Sequence, residues 1–206
     1  WKFEKNDKWI TYSSIKGNPM SVYANLPLEE PQDEEAQKSL CDYLSKNDIS
    51  PTIIVHRGHS YHLPSTLSHL SASNKIIVLG SCGGYHNLST ILQSSEDAHI
   101  ISSKQTGSMH VNDPILREIQ NLLLNKKDIQ WIDMWKGLAL QMNNAKLQDL
   151  FNDYVPPHKN MGALFLKAFK NWYKNNPLDS MSKFKGHYNE FRHKNLEGLK
   201  IFYYYE

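Results

Sequence analysis

Residues 52–60, TIIVHRGHS, and residues 75–84, KIIVLGSCGG, each place a run of aliphatic and β-branched side chains directly ahead of glycine and reactive residues. Uninterrupted apolar runs of this kind are what strands buried on both faces of a parallel sheet require. Between them Leu63, Leu67 and Leu70 recur at helical spacing. A strand, a short helix and a second strand form a βαβ unit, whose crossover is right-handed in about 98% of cases. The two runs are therefore expected as adjacent parallel strands, and the fold class as α/β.

Working outward, an alternation of apolar runs and helical stretches extends over about residues 20–140, which favours a mainly parallel central sheet. Residues 20–26 read as the first strand. Pro31 with Asp33, Glu34 and Glu35 suits a helix start, and Ala36, Leu40, Tyr43 and Leu44 give that helix an apolar face. Downstream, residues 87–92 read as a short helix and 98–103 as another strand. Asp113 and Pro114 read as cap and first position of a helix whose buried face is Ile115, Leu116, Ile119, Leu122 and Leu123. Residues 129–132 read as a further strand, followed by helix over roughly 134–151.

The whole chain is read as one α/β domain, with residues 153–206 as a helical, basic and aromatic C-terminal extension packed on it. In that extension Met161, Leu164, Phe165, Ala168, Phe169 and Trp172 form an apolar stripe ending before Pro177. Residues 180–206 mix lysines with aromatics, and 199–205 suit an edge strand. The chain opens at Trp1 without the zones of a signal peptide, so it is read as a piece of a longer protein, with an N-terminal or partner domain missing.

Composition excludes several classes. A 206-residue chain that is 40% hydrophobic can bury a core, so overall disorder is excluded. No apolar run nears the roughly 20 residues of a membrane span, so membrane insertion is not expected. Twenty-three basic against 21 acidic residues leave a net charge of +2, too balanced to call for nucleic acid, and acids interrupt the basic tail. Two cysteines, Cys41 and Cys82, cannot make a disulfide framework.

The chemistry sits at the two strand ends. Parallel neighbours lie about 5 Å apart, and open α/β sheets bind ligands at the carboxyl edge. A histidine and a cysteine delivered there can act as base and nucleophile, with imidazole helping to generate thiolate and later protonating a leaving amine. His56 and His59 are both candidates for the base, and Cys82 for the nucleophile. As a lone cysteine Cys82 reads as an inert buried thiol; Gly83 and Gly84 beside it point to an exposed turn.

The two strand ends, IIVHRGHS (53–60) and KIIVLGSCGG (75–84), resemble the caspase, gingipain, separase and CHAT superfamily of cysteine peptidases, clan CD. In that superfamily one hydrophobic strand leads into His-Gly and the next into a small residue and the nucleophilic cysteine. The resemblance implies a three-layer α/β/α caspase-like fold, a polypeptide substrate, and peptide hydrolysis with no metal or organic cofactor. It gives the catalytic roles to His59 and Cys82 and the oxyanion hole to the backbone N–H groups of Ser60 and Cys82. His59 is preferred over His56 because Gly58-His59 matches the family's Gly-His string. Ser60 stands where the family has glycine, and its Cβ restricts the backbone while leaving the N–H in place. Specificity in that family is built partly by the strand after the nucleophile, which makes 103–106 the nearest region. A caspase-like module serving only in protein interaction is the rival expectation.

Two further patterns lie in the same stretch. Gly58-His59-Ser60 could open a nucleophile elbow with Ser60 attacking, but His62 stands where the motif's last glycine belongs. His56, His59 and His62 at spacing three lack a second ligand cluster, so no metal is expected.

Overall fold

A computed structural model describes residues 1–176, which form an α/β structure. Two sheets are present. The first is an antiparallel meander of β1 (Lys2–Lys5), β2 (Trp9–Ser13) and β3 (Ser21–Asn25). The second runs in the order β4 (Ile53–His56), β5 (Ile76–Leu79), β6 (His99–Ser103) and β7 (Tyr154–Val155). Strands β4, β5 and β6 are mutually parallel, while β7 pairs antiparallel to β6.

The parallel pair expected from 52–55 and 75–79 is present, with Ile53 opposite Ile76 and His56 opposite Leu79. Strand β4, however, lies at the sheet edge, with Ile53 and Ile54 half-buried and Val55 exposed, and is not the doubly buried strand its sequence suggests. All four residues of β5 are buried. Side chains alternate between faces along a strand, so both faces of β5 are covered, which accounts for its unbroken aliphatic sequence. On one face Ile76, Val78 and Ile101 join a core with α4 (Met109–Leu124), α5 (Trp131–Gln141) and α6 (Ala145–Asn152). Val111, Ile115 and Ile119, four residues apart, supply the α4 stripe, and Trp135 stacks on Phe151 with centroids 4.6 Å apart. The other face buries Ile77, Leu79 and Ile100 as completely.

Helix α1 (Gln32–Lys46) carries the expected acids in its first turn. Its Tyr43 ring meets Trp9 at 5.3 Å and Tyr23 at 6.2 Å, residues that share one face of the meander. Helix α2 (Leu63–Ser68) links β4 to β5, and α3 (Leu88–Ser94) links β5 to β6.

Four further expectations are corrected. Residues 20–26 form a strand, but in the antiparallel meander and not in the parallel sheet. Helix α4 begins at Met109, not at Asp113, and carries Pro114 inside it; extended Ser108 precedes it, and the Ser108 carbonyl accepts from Val111 and Asn112 N–H groups. Burial of Val111 and Asn112 carries the helix back beyond the proline. Residues 129–132 are not a strand, because α5 starts at Trp131. The helix expected over 134–151 is two helices, α5 and α6, with Asn144 capping α6 through a bond accepted from Leu147 N–H at 3.0 Å.

The chain divides into compact units at 159/160, and β7 lies within the first, so sheet structure extends past residue 153. In the second unit α7 (Met161–Asn175) is capped by Asn160, whose side chain accepts from Ala163 N–H at 3.0 Å. Of the expected stripe Ala168 and Trp172 are buried, while Met161 and Phe165 are exposed. The basic and aromatic tail and the expected strand at 199–205 lie outside the described residues. Among the described residues no helix is long and apolar enough to cross a membrane.

Candidate active site

Strands β4 and β5 end together: Gly80 N–H donates to the His56 carbonyl at 2.8 Å, continuing the ladder one step past the strands. The His-bearing loop 57–60 and the Cys-bearing loop 80–84 therefore leave the same sheet edge from adjacent positions.

In the first loop the two histidines have different environments. His56 is buried; its Nε2 lies 3.1 Å from the His59 carbonyl oxygen and its Nδ1 2.8 Å from Thr66 Oγ1. Donation from Nε2 to the carbonyl requires Nδ1 to accept from the Thr66 hydroxyl, which fixes one neutral tautomer. Burial pushes the His56 pKa below its ordinary value, more strongly than the bond to the His59 carbonyl raises it, so the ring stays neutral near pH 7. His59 is exposed; its ring stacks on Tyr61 with centroids 5.3 Å apart and planes 9° from parallel. Ser60 opens the 3-10 turn Ser60–His62. His62 faces Glu30 and Asp33 at 3.4 and 3.7 Å. Among the described residues no cluster of three or more His, Cys, Asp or Glu is arranged to hold a metal ion.

The second loop is held by several elements. Gly83 adopts φ +68°, the left-handed region that favours glycine, and its N–H donates to the Gln105 carbonyl at 3.0 Å. Asn112 Nδ2 donates to the Gly80 carbonyl at 3.1 Å, and the Ser103 hydroxyl donates to the Ser81 carbonyl. Gly107 lies so close that a Cβ there would stand 2.0 Å from Gly80 O. Cys82, at the tip of this braced turn, is exposed and carries a free thiol. Among the described residues no hydrogen bond joins the His59 ring to that thiol. The two expected catalytic residues thus share a sheet edge but are not paired in this conformation.

Several contributors escaped sequence reading. Tyr154 on β7 accepts from Ser108 N–H at 2.7 Å and donates to Asn112 Oδ1 at 2.9 Å, completing a Tyr154–Asn112–Gly80 relay. Burial pushes the Tyr154 phenol pKa up; the nearby Cys82 charge adds to this, while the Ser108 contact and the Arg57 guanidinium oppose it. Arg57 pairs with Asp113 at 2.5 Å, tying the His-bearing loop to α4. An asparagine, a serine and a tyrosine scattered over 50 residues carry no local signal of this role.

No family model, curated protein or solved structure matches the chain.

Proposed function

We propose that the chain is a cysteine endopeptidase of three-layer, caspase-like architecture, with Cys82 as nucleophile and His59 as general acid and base. The observation that carries the reading is the His56–Leu79 register, from which the HRGHS and GSCGG loops leave one sheet edge side by side, with an exposed thiol on a left-handed glycine turn. Burial and engagement of both ring nitrogens disfavour His56 as the base and leave exposed His59 for the role.

In this reading His59 takes the Cys82 proton, and the sulfur attacks the scissile carbonyl carbon. The C=O π pair moves onto oxygen, where the backbone N–H groups of Ser60 and Cys82 receive the negative charge. Collapse of the tetrahedral species breaks the C–N bond as His59 protonates the departing amine, leaving a thioester. Water, deprotonated by His59, then attacks that thioester, and sulfur leaves as the acid product is released.

A second reading, a noncatalytic interaction module on the same scaffold, is favoured by one observation: the His59 ring stacks on Tyr61 and is not bonded to sulfur. Cleavage of a mixed peptide library separates the two. The peptidase reading expects Cys82→Ala to abolish cleavage, His59→Ala to lower it about 10²- to 10⁴-fold and Ser60→Ala to change little. Cleavage persisting in Cys82→Ala contradicts it.

A further inference from the structure

We infer that Ser103 is a positioning residue that aims the Cys82 peptide N–H at the developing oxyanion, an inference resting on the peptidase reading above. Ser103 is the last residue of β6 and is fully buried. A hydroxyl in that setting is costly unless bonded, and this one donates to the Ser81 carbonyl oxygen.

That carbonyl belongs to the same peptide unit as the Cys82 N–H. The Ser81–Cys82 bond is trans, and a trans peptide is a rigid plane whose C=O and N–H point in opposite directions. Holding the oxygen toward β6 therefore directs the N–H away from β6. The accepted bond also polarises the amide, which makes its N–H a stronger donor.

Neighbouring peptide groups have separate partners: Asn112 holds the Gly80 carbonyl at 3.1 Å, and Gly83 N–H is committed to Gln105 at 3.0 Å. Gly83 N–H is thus unavailable to an oxyanion, and the Ser81–Cys82 plane is the one that Ser103 governs.

The test uses two probes of Cys82 in the full chain. Addition of the thiol across the carbonyl of a peptide aldehyde forms an S–C bond and places the π pair on oxygen, so it draws on the oxyanion donors. Iodoacetamide forms a thioether with loss of iodide and develops no oxyanion. The expected result is that Ser103→Ala weakens aldehyde affinity about tenfold or more, less than the loss of a donor itself. Its iodoacetamide rate stays within about twofold of the parent's, and Ser103→Thr, which keeps the hydroxyl, retains the parent's aldehyde affinity. Unchanged aldehyde affinity in Ser103→Ala overturns the inference, as does a parallel fall with both probes or an equal loss in Ser103→Thr. If the parent forms no hemithioacetal and Cys82 alkylates no faster than Cys41, the peptidase reading fails and takes this inference with it.

Discussion

The ring of His56 and the backbone of His59 are joined: His56 Nε2 lies 3.1 Å from the His59 carbonyl oxygen. One histidine of the HRGH string therefore braces the loop that presents the other. The two are expected to respond differently to removal. His56→Ala deletes a buried ring with two hydrogen-bond partners and should lower stability by about 2–3 kcal/mol in urea unfolding. His59→Ala removes an exposed side chain and should stay within about 0.5 kcal/mol of the parent. Equal losses would contradict this division of roles.

The brace on the nucleophile turn is likewise measurable. Asn112→Ala leaves the Gly80 carbonyl without its side-chain donor and Tyr154 without one acceptor, so a loss of about 1–3 kcal/mol is expected. Tyr154→Phe should cost about 1 kcal/mol. Because both residues belong to one relay, the double variant should lose less than the two single losses added together, and strict additivity in urea unfolding would count against the relay.

His158 provides an acid-stability prediction. Burial, with Lys159 beside it, lowers its pKa from 6.5 to about 4. As pH falls the unfolded chain takes up this proton first, so the unfolded state gains on the folded one. Stability is thus full above about pH 6.5 and declines as pH falls toward 4, with His56, shifted in the same direction, adding to the slope. His158→Gln should flatten the pH dependence of the urea midpoint across that window. An unchanged slope would contradict the shift.

The parallel core was legible because β5 is a short aliphatic run whose burial on both faces leaves no room for polar alternation. Strand β4 has the same aliphatic sequence but lies at the sheet edge with Val55 exposed, so its sequence overstates its burial. The meander was not legible. Strand β1, KFEK, is exposed throughout and β2 is mostly half-buried, so neither shows the hydrophobic pattern that marks a strand. Asp113-Pro114 imitates a helix start so closely that local chemistry misplaces it; only the burial of Val111 and Asn112 reveals the true one. At the site, Cys82 and His59 stood out as reactive types at strand ends. His56 could be given its structural role only once Thr66 and the His59 carbonyl were seen on its two nitrogens. Ser103, Asn112 and Tyr154 act through contacts made across the sheet edge, for which sequence spacing carries no signature.

The central claim is that His59 activates Cys82, and the most direct measurement is the rate at which iodoacetamide modifies each cysteine near pH 6.5, read by mass spectrometry of the parent and of His59→Ala. Cys41 is the internal reference: it is half-buried, and burial with Asp42 nearby pushes its thiol pKa up. Exposure alone favours Cys82 over Cys41, so the deciding comparison is Cys82 with and without the imidazole. The account predicts that Cys82 in the parent reacts at least about tenfold faster than Cys41 and loses most of that advantage in His59→Ala. A Cys82 rate that is the same in both proteins would contradict it.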